Sequence, residues 1–476
     1  MWNDWLGSIP VYHTQVQNGR VASTLEPVPV ASAGFTTDDF FLPGLVSLLL
    51  NGHFISDWTL YKNLKTIPAD SVSQWGEKGF WTKPLESVVP SQDRWEAGWD
   101  DLVDEMHALA HKAIADVLKT RSTWILPLSA GLDSRLIAGV ASDIGSEVRT
   151  YAWGASHATD VVYSRKLAKV CGFSWKHIPL PNDFLLKYTQ PWANIYGTSM
   201  HFQGMYLMCF LDQLAKEPEG TTISGYLGDV LSGANLKYLA MLHAQKSYTT
   251  HFEWMSAWSA DKLRTAARFP IDEALERNAD CIREELDSYP GTWFQRLRHL
   301  QLRNRQRLFT AFLPTLMDYW RGTATPFIDR SFARFTLSLP RAALDDRRLL
   351  GDVFRRYYGK LSVIPGSYGS TPFILTGKYL IQRRIAKALP VTLFRSLLKG
   401  FGNIQIGVDF EPIQAHGKSS LWPLPDVWKQ LGEWLDLQQI EADFQAVMKP
   451  SQDPRPLRRL QAAQTFSSAL LPRINS

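Results

Sequence analysis

The chain has 476 residues, 45% hydrophobic and 20% charged, which is apolar enough for a sizeable core and excludes disorder as its main state. Its 51 Lys and Arg against 46 Asp and Glu leave a net charge of +5, too small an excess at this length to argue for nucleic acid by itself. Cys171, Cys209 and Cys281 lie far apart with no CxxC pair, which speaks against a disulfide scaffold or a cysteine-rich zinc site and fits a reducing compartment.

At roughly 150 residues per domain, two or three domains are expected. The start, Met1-Trp2-Asn3-Asp4-Trp5, lacks the basic lead and apolar run of a secretory signal. The apolar stretch Phe40 to Leu50 is about half a membrane span and is interrupted by Pro43-Gly44. A soluble, cytoplasmic protein with no membrane partner is expected. The 18 Trp and 24 Phe are expected mainly in the core, given the area such rings bury.

In chain order, the first hundred residues read as β-rich. Ile9-Pro10-Val11-Tyr12 leads into Gln17-Asn18-Gly19-Arg20, a hairpin signal. A helix is predicted from Thr37 to Leu50, with Asp38 and Asp39 favouring its N-terminus. Pro84 to Asp93 is rich in Pro and Ser, so the boundary is placed there, giving domains 1–93 and 94–476. Leu102, Met106, Leu109 and Ile114 then predict a helix between Arg94 and Lys119.

A different rhythm follows. Trp124 to Leu128 reads as a strand, Leu136 to Val140 as helical, Val148 to Trp153 as a second strand, Asp160 to Val170 as a helix, and Trp175 to Leu180 as a third strand. Strands alternating with helices predict a parallel sheet with crossover helices. Thr221 to Ser224 offers a further strand, and helical patterns dominate from about residue 236 onward.

The segment Ser129-Ala130-Gly131-Leu132-Asp133-Ser134-Arg135 lies between the first of these strands and its helix. A strand ending in a Gly- and Ser-bearing turn that opens a helix is an anion site, because main-chain N–H groups, the helix dipole and two hydroxyls all point at the ligand. No Gly-Lys-Ser/Thr follows, so it is not a Walker loop. The Asp133 carboxylate makes electrostatic sense there if a magnesium ion bridges it to phosphate. The plainer alternative is a helix cap.

This segment resembles the Ser-Gly-Gly-x-Asp-Ser pyrophosphate loop of the ATP pyrophosphatase (PP-loop) superfamily, in the form used by asparagine synthetases. Gly225-Tyr226-Leu227-Gly228-Asp229-Val230-Leu231-Ser232-Gly233 resembles that family's Gly-Asp-Glu-Leu-Phe-Gly-Gly segment. Thr325-Pro326-Phe327-Ile328-Asp329, with Leu337-Ser338-Leu339-Pro340 after it, is similar to its Pro-Phe-Leu-Asp block. Asp4 to Tyr12 and Thr59-Leu60-Tyr61 resemble strands of its N-terminal glutaminase-like domain, and the match spans roughly residues 1 to 360. The resemblance implies an α/β fold: a parallel-sheet, HUP-like PP-loop domain with a helical C-terminal part, preceded by a small, truncated, β-rich glutaminase-like domain.

The resemblance also implies a reaction. ATP adenylates a substrate carboxylate, pyrophosphate leaves, and an amine displaces AMP to form an amide. Carried over by position, Ser129, Gly131 and Ser134 hold pyrophosphate, with Leu128 and Gly228 as further nucleotide contacts. Asp133 and Asp229 bind Mg2+, and their carboxylates should face one cleft at the strand ends. Tyr226 sits where β-lactam-forming relatives carry a catalytic tyrosine; a buried aromatic at the sheet end is the alternative. Arg347 or Arg348, in Asp345 to Leu350, replaces the family's lysine as a catalytic cation, and its high pKa suits charge neutralisation rather than proton donation.

The departures point elsewhere. Trp2 stands where the family exposes its glutaminase cysteine, and no cysteine precedes Cys171, so glutamine hydrolysis is not expected. Ala130 replaces the middle loop glycine, at a cost on the order of 1 kcal/mol if that position needs φ > 0. Val230 replaces an acidic residue. Arg296, Arg298, Arg303, Arg305 and Arg307, and separately Arg383 and Arg384, read as solvated faces, or else as docking strips for an acidic substrate or nucleic acid. His157, His177 and His201 show no metal spacing; His157, after a strand end, is the one candidate among them.

The expectation is therefore a glutamine-independent, AMP-forming amide ligase, similar to β-lactam synthetases and lasso peptide cyclases. Its partners would be a small-molecule or peptide substrate carrying a carboxylate and an amine, and a pathway protein is left open. The alternatives are a degenerate scaffold that no longer adenylates, or a PP-loop enzyme that modifies nucleic acid.

Overall fold

A computed structural model describes residues 1–76, 79–90, 97–181, 183–234, 257–366, 416–422, 424–448 and 455–471. Its N-terminal part holds two small antiparallel sheets. One joins β1 (Trp2–Asn3), β5 (Ser71–Gly76) and β6 (Gly79–Pro84); the other joins β2 (Tyr12–Val16), β3 (Gly19–Ser23) and β4 (Lys65–Thr66). The expected hairpin forms between β2 and β3, with Gln17 and Asn18 at the turn and Val16 paired to Gly19.

Two helices lie between these strands. Helix α1 (Pro27–Ala33) lies in a region read as β-rich; Pro27 opens it, and a proline in the first turn costs no hydrogen bond. The single helix predicted from Thr37 to Leu50 is two elements. A 3-10 turn, Thr37–Asp39, is closed by a capping box from Thr36, and α2 (Leu42–Asn51) begins afresh with Pro43 in its first turn.

After α3 (Trp99–Leu118), the central sheet is assembled from β7 (Thr123–Pro127), β8 (Glu147–Trp153), β9 (Ser174–Ile178), β10 (Thr221–Ile223) and β11 (Thr323–Ala324), all parallel, in the order β11-β10-β7-β8-β9. Four of these were expected. β11 is too short, at two residues, to register as a pattern. β7 is buried from Trp124 to Pro127, the continuous apolar run of a strand covered on both faces.

The chain steps from β7 to β8 to β9 through α4 (Leu132–Asp143) and α5 (Thr159–Cys171). It then returns across the sheet to β10 through α6 (Phe184–Tyr196), a 3-10 turn (Phe202–Tyr206) and α7 (Leu207–Leu214). Parallel crossovers are right-handed. Reversing the direction of travel therefore puts α4 and α5 on one face of the sheet, and α7 with the helix Phe312–Arg321 on the other. The packing agrees: α4 lies against α3 and α5, while α7 lies against Phe312–Arg321 and β9. The reversal makes the junction of β7 and β10 a topological switch point, where open α/β sheets bind ligands.

The N-terminal part is docked on this sheet by buried polar contacts. Trp5 Nε1 donates to the Ile328 carbonyl at 2.6 Å, and the Thr198 N–H donates to Glu26 at 2.6 Å. The buried Arg307 guanidinium donates to the Gly7 carbonyl at 3.2 Å and the Ile67 carbonyl at 2.8 Å. At Gly7 (φ +69), a Cβ would sit 2.7 Å from Arg307 Nε, so glycine is required twice over.

Arg307 belongs to a cluster read as a solvated face, and that reading is corrected. Arg298 is 2% and Arg307 3% exposed. Arg298 donates to the Thr336 and Leu231 carbonyls, Arg303 pairs with the buried Asp70 at 3.6 Å, and Arg305 lies over the Phe309 ring. Residues 91–96, which contain the proposed boundary at 93/94, lie outside the described residues, as do Arg383 and Arg384. No helix among the described residues is long and apolar enough to cross a membrane.

Candidate active site

The segment after β7 closes on itself through its hydroxyls. The Ser129 N–H donates to Ser134 Oγ at 3.2 Å, the two Oγ atoms lie 3.2 Å apart, and the Gly131 N–H donates to Ser129 Oγ at 3.0 Å. Gly131 is the N-cap of α4 and makes no side-chain cap, so the N–H groups of the first turn are not taken by a capping side chain. Asp133 is in the first turn and does not act as the cap, which removes the plainer alternative for it.

Ala130 does not need φ > 0: it is absent from the positive-φ residues, and no conformational cost arises. Its N–H donates to Asp160 Oδ1 at 3.0 Å and its carbonyl accepts from Arg135 Nη2 at 2.8 Å. Val230 is 5% exposed, so the family's acidic position is here part of the apolar core.

The segment after β10 is pressed against Asp133. A Cβ on Gly225 would lie 3.0 Å from the Asp133 Cβ; one on Gly228 would lie 2.9 Å from the Asp133 Cβ and 2.9 Å from the Phe327 ring. Only glycine permits this approach. The next residue, Asp229, turns its backbone N–H to the Asp133 carboxylate and adds a like charge beside it. Burial pushes the Asp133 carboxyl up to about 6; Arg347 opposes the rise and Asp229 adds to it. Asp229 is thus a neighbour of Asp133 at the switch point, but only Asp133 is among the residues that line the cleft, and Asp229 Oδ1 accepts from the Val230 N–H at 2.7 Å.

Of the two candidate cations, Arg347 is the one at the site. Its Nη2 donates to Asp133 Oδ1 and its Nε donates to Ser232 Oγ at 2.9 Å. Arg348 is exposed and stacks over the Trp99 ring at 4.7 Å. Arg347 (φ 56), Asp346 (φ 66) and Leu227 (φ 71) are three of the five non-glycine residues with positive φ among the described residues. Such conformations cost of order 1–3 kcal/mol each and concentrate at functional sites.

Tyr226 lines the cleft with its ring, but its hydroxyl donates to the Gln306 carbonyl. Burial holds the phenol well above its ordinary pKa of 10. Of the two roles open to it, this geometry favours the buried aromatic. Gln306 ends a π-helical stretch, Leu302–Gln306, which contains two of the misread arginines.

The cleft itself, about 240 Å³, is lined by Leu128, Ser129, Asp133 and Ser134 on the loop side and by Trp153, Tyr206 and Leu313 among others. Among the described residues no cluster of three or more His, Cys, Asp or Glu could hold a metal. His157 is exposed and does not line the cleft; His177 Nε2 lies 2.8 Å from the Gly154 carbonyl, and burial pushes His201 down to about 3. Asp329, in the Pro-Phe-Ile-Asp block, caps the helix Arg330–Ser338 by accepting from the Phe332 N–H, so that block supports the site through Phe327 rather than by a carboxylate.

Sequence reading missed Asp160, Arg135 and Ser232. Asp160 had a signal, as an acid in the first turn of the helix after β8. Arg135 had none. It is fully buried and donates to the carbonyl of Ala130 nearby and to those of Leu361, Ile364 and Pro365, three acceptors distant in sequence that pattern cannot reveal.

A family model described as asparagine synthase matches residues 106–359, more than half of the chain and the stretch that carries the loop, both aspartates and Arg347. No curated protein matches the chain.

Proposed function

The chain belongs to the asparagine synthase family, ATP-using carbon–nitrogen ligases on a PP-loop fold, and from that premise we propose an AMP-forming amide ligase that does not hydrolyse glutamine. The convergence of the loop, Asp133, Asp229 and Arg347 on one switch point carries the reading. A substrate carboxylate attacks the α-phosphorus of ATP, the bond to the bridging oxygen breaks, and pyrophosphate departs with both bonding electrons. An amine then attacks the acyl carbon, loses a proton, and expels AMP.

The protein's part is positioning and charge stabilisation. The Ser129 and Ser134 hydroxyls and the uncapped N-terminus of α4 receive the leaving pyrophosphate, with Leu128 and Gly228 flanking the nucleotide. Arg347 neutralises charge on the phosphates and, permanently protonated, donates no proton.

The donor set fits magnesium. Two adjacent carboxylates, one pushed to about 6, are incompletely neutralised by one guanidinium. Magnesium is held by one or two carboxylates with phosphate oxygens and water completing its shell, so a three-residue cluster is not required. When bound, the ion supplies charge neutralisation at the phosphates. Asp133 and Asp229 would hold it.

The nitrogen comes from an amine of the substrate or from ammonia. Two assays test the reading. Radioactive pyrophosphate should exchange into ATP in the presence of an acid substrate, and glutamine should yield no glutamate above background. A protein that binds ATP and acids yet exchanges no pyrophosphate is not this ligase.

A further inference from the structure

The guanidinium of Arg347 is held from two sides, and the second holder is a serine. Ser232 is 2% exposed and directly follows the helical turn Gly228–Leu231. Its Oγ donates to the Gly228 carbonyl at 2.6 Å, with the Asp229 carbonyl a further acceptor at 3.2 Å. A hydroxyl has one proton and two lone pairs. With the proton committed to the turn, the oxygen can only accept from another partner, and that partner is Arg347 Nε at 2.9 Å.

The backbone fixes this meeting. Gly233 (φ +107) lies so close to the stretch leading to Arg347 that no Cβ would fit between it and the Leu344 carbonyl. Asp346 and Arg347, both with positive φ, then turn the chain into the helix Arg348–Tyr357. At the other end of the turn, Gly228 packs on Asp133. One hydroxyl thus joins the turn behind Asp133 to the guanidinium that faces Asp133.

A guanidinium presents its Nε and Nη donors in one rigid plane, which an ammonium on a flexible stem does not. Anchoring Nε on a neutral oxygen sets that plane and leaves the Nη groups for an anion. In this structure Nη2 donates to Asp133 Oδ1. Trading Asp133 for a phosphate oxygen then changes partners on the Nη side alone. Without the anchor, the whole side chain would give up its rotamer freedom on binding.

From this we propose that Ser232 is a positioning residue, which holds Arg347 by Nε so that its Nη groups pass from Asp133 to pyrophosphate with the charge already in place. The phosphate partner rests on the ligase reading; the anchor does not. The test titrates inorganic pyrophosphate, with magnesium, into the full chain by calorimetry. Ser232→Ala should weaken binding about fivefold in the wild-type background and less than 1.5-fold in an Arg347→Met background, where the hydroxyl has no guanidinium to hold. A role confined to tying down the Gly228 turn would cost the same in both backgrounds and would overturn the proposal. So would full affinity in Ser232→Ala. Arg347→Lys keeps the charge but lacks the Nε that Ser232 holds, and it serves even if Ser232→Ala does not fold. It should also bind about fivefold more weakly than wild type, and wild-type affinity there would overturn the proposal. A wild-type protein that binds no pyrophosphate at millimolar concentration would remove both this role and the ligase reading. Binding rather than turnover is read, so the two can be separated. The background-dependent loss in a protein that fails pyrophosphate–ATP exchange would uphold the anchor and refute the ligase, and normal exchange with equal losses in both backgrounds would do the reverse.

Discussion

Two arginine-bearing regions of this molecule are treated in opposite ways. Along residues 296–307, guanidinium groups are sunk into the fold and aimed largely at main-chain carbonyls: Arg298 at Thr336 and Leu231, Arg307 at Gly7 and Ile67. At the switch point, Arg347 sits on a backbone of positive φ and is aimed at a carboxylate that is itself crowded by a second one. A guanidinium satisfied by carbonyls has no reason to move, because leaving would strand buried acceptors. One paired to a carboxylate in an open cleft can exchange that partner for a phosphate. Neutral acceptors mark structure; an overcharged pocket marks a site.

The comparison is most severely tested at Asp133. Asp133→Asn should lower pyrophosphate exchange about 100-fold or more, the scale of losing one electrostatic contact at a developing charge, with the unfolding midpoint no lower than that of wild type. Near-normal exchange would dissolve the distinction. Arg307→Met should do the reverse. Unpaired carbonyls at Gly7 and Ile67 should cost about 2 kcal/mol of stability in urea unfolding, while exchange per folded molecule persists. If Arg307→Met kept its stability and lost its activity, the buried arginines would belong to the chemistry after all.

The neighbours Arg347 and Arg348 sharpen the contrast within a single dipeptide. Arg347→Met should reduce exchange about tenfold, worth roughly 1.4 kcal/mol. Arg348→Met gives up a stacking contact on Trp99 at an exposed position, about 0.5 kcal/mol of stability, and should leave exchange within twofold. Equal losses from both would mean that pairing with Asp133 is incidental.

What was legible in the sequence follows the range of the interactions involved. The strands β7 to β10 and the loop Ser129–Ser134 are local patterns, and the pairing of Asp133 with Asp229 was implied by the resemblance of their two segments to the family's. Arg347 could not be chosen over Arg348, because helical periodicity does not say which of two adjacent arginines turns toward a carboxylate two hundred residues away. The arginines of 296–307 misled for the same reason: their acceptors come from Gly7, Ile67, Leu231 and Thr336, which no window around them contains. The condition for strain at Ala130, a positive φ, is not met; its N–H and carbonyl are bound to Asp160 and Arg135, the first of them outside the recognised segment. The cleft wall of Tyr206 and Leu313 is likewise a product of chain return, not of any local run.

A last test is the pH dependence of stability at Asp133. Burial and Asp229 raise the folded-state pKa of Asp133 from an ordinary 3.8 to about 6. Between those values the folded protein retains a proton that the unfolded chain has released. Stability contributed by this group is therefore complete below about pH 4 and is lost as pH rises through 6. Asp133→Asn removes the titration, so the difference in unfolding free energy between wild type and variant should shift in the variant's favour from pH 4 to pH 7. Arg347 holds the carboxyl down, so Arg347→Met should move the midpoint above 6. Asp229→Asn removes a raising charge and should move it below. The arginine region has a titration of its own: burial holds the Glu285 carboxyl above its ordinary range and Arg307 opposes the rise, so Arg307→Met should raise it further and leave the Asp133 titration in place. Parallel curves for wild type and Asp133→Asn, in urea titrations at half-unit steps, would show that the Asp133 carboxyl is not held up by burial and Asp229. The pocket would then lack the charge excess on which its contrast with the carbonyl-bound arginines rests.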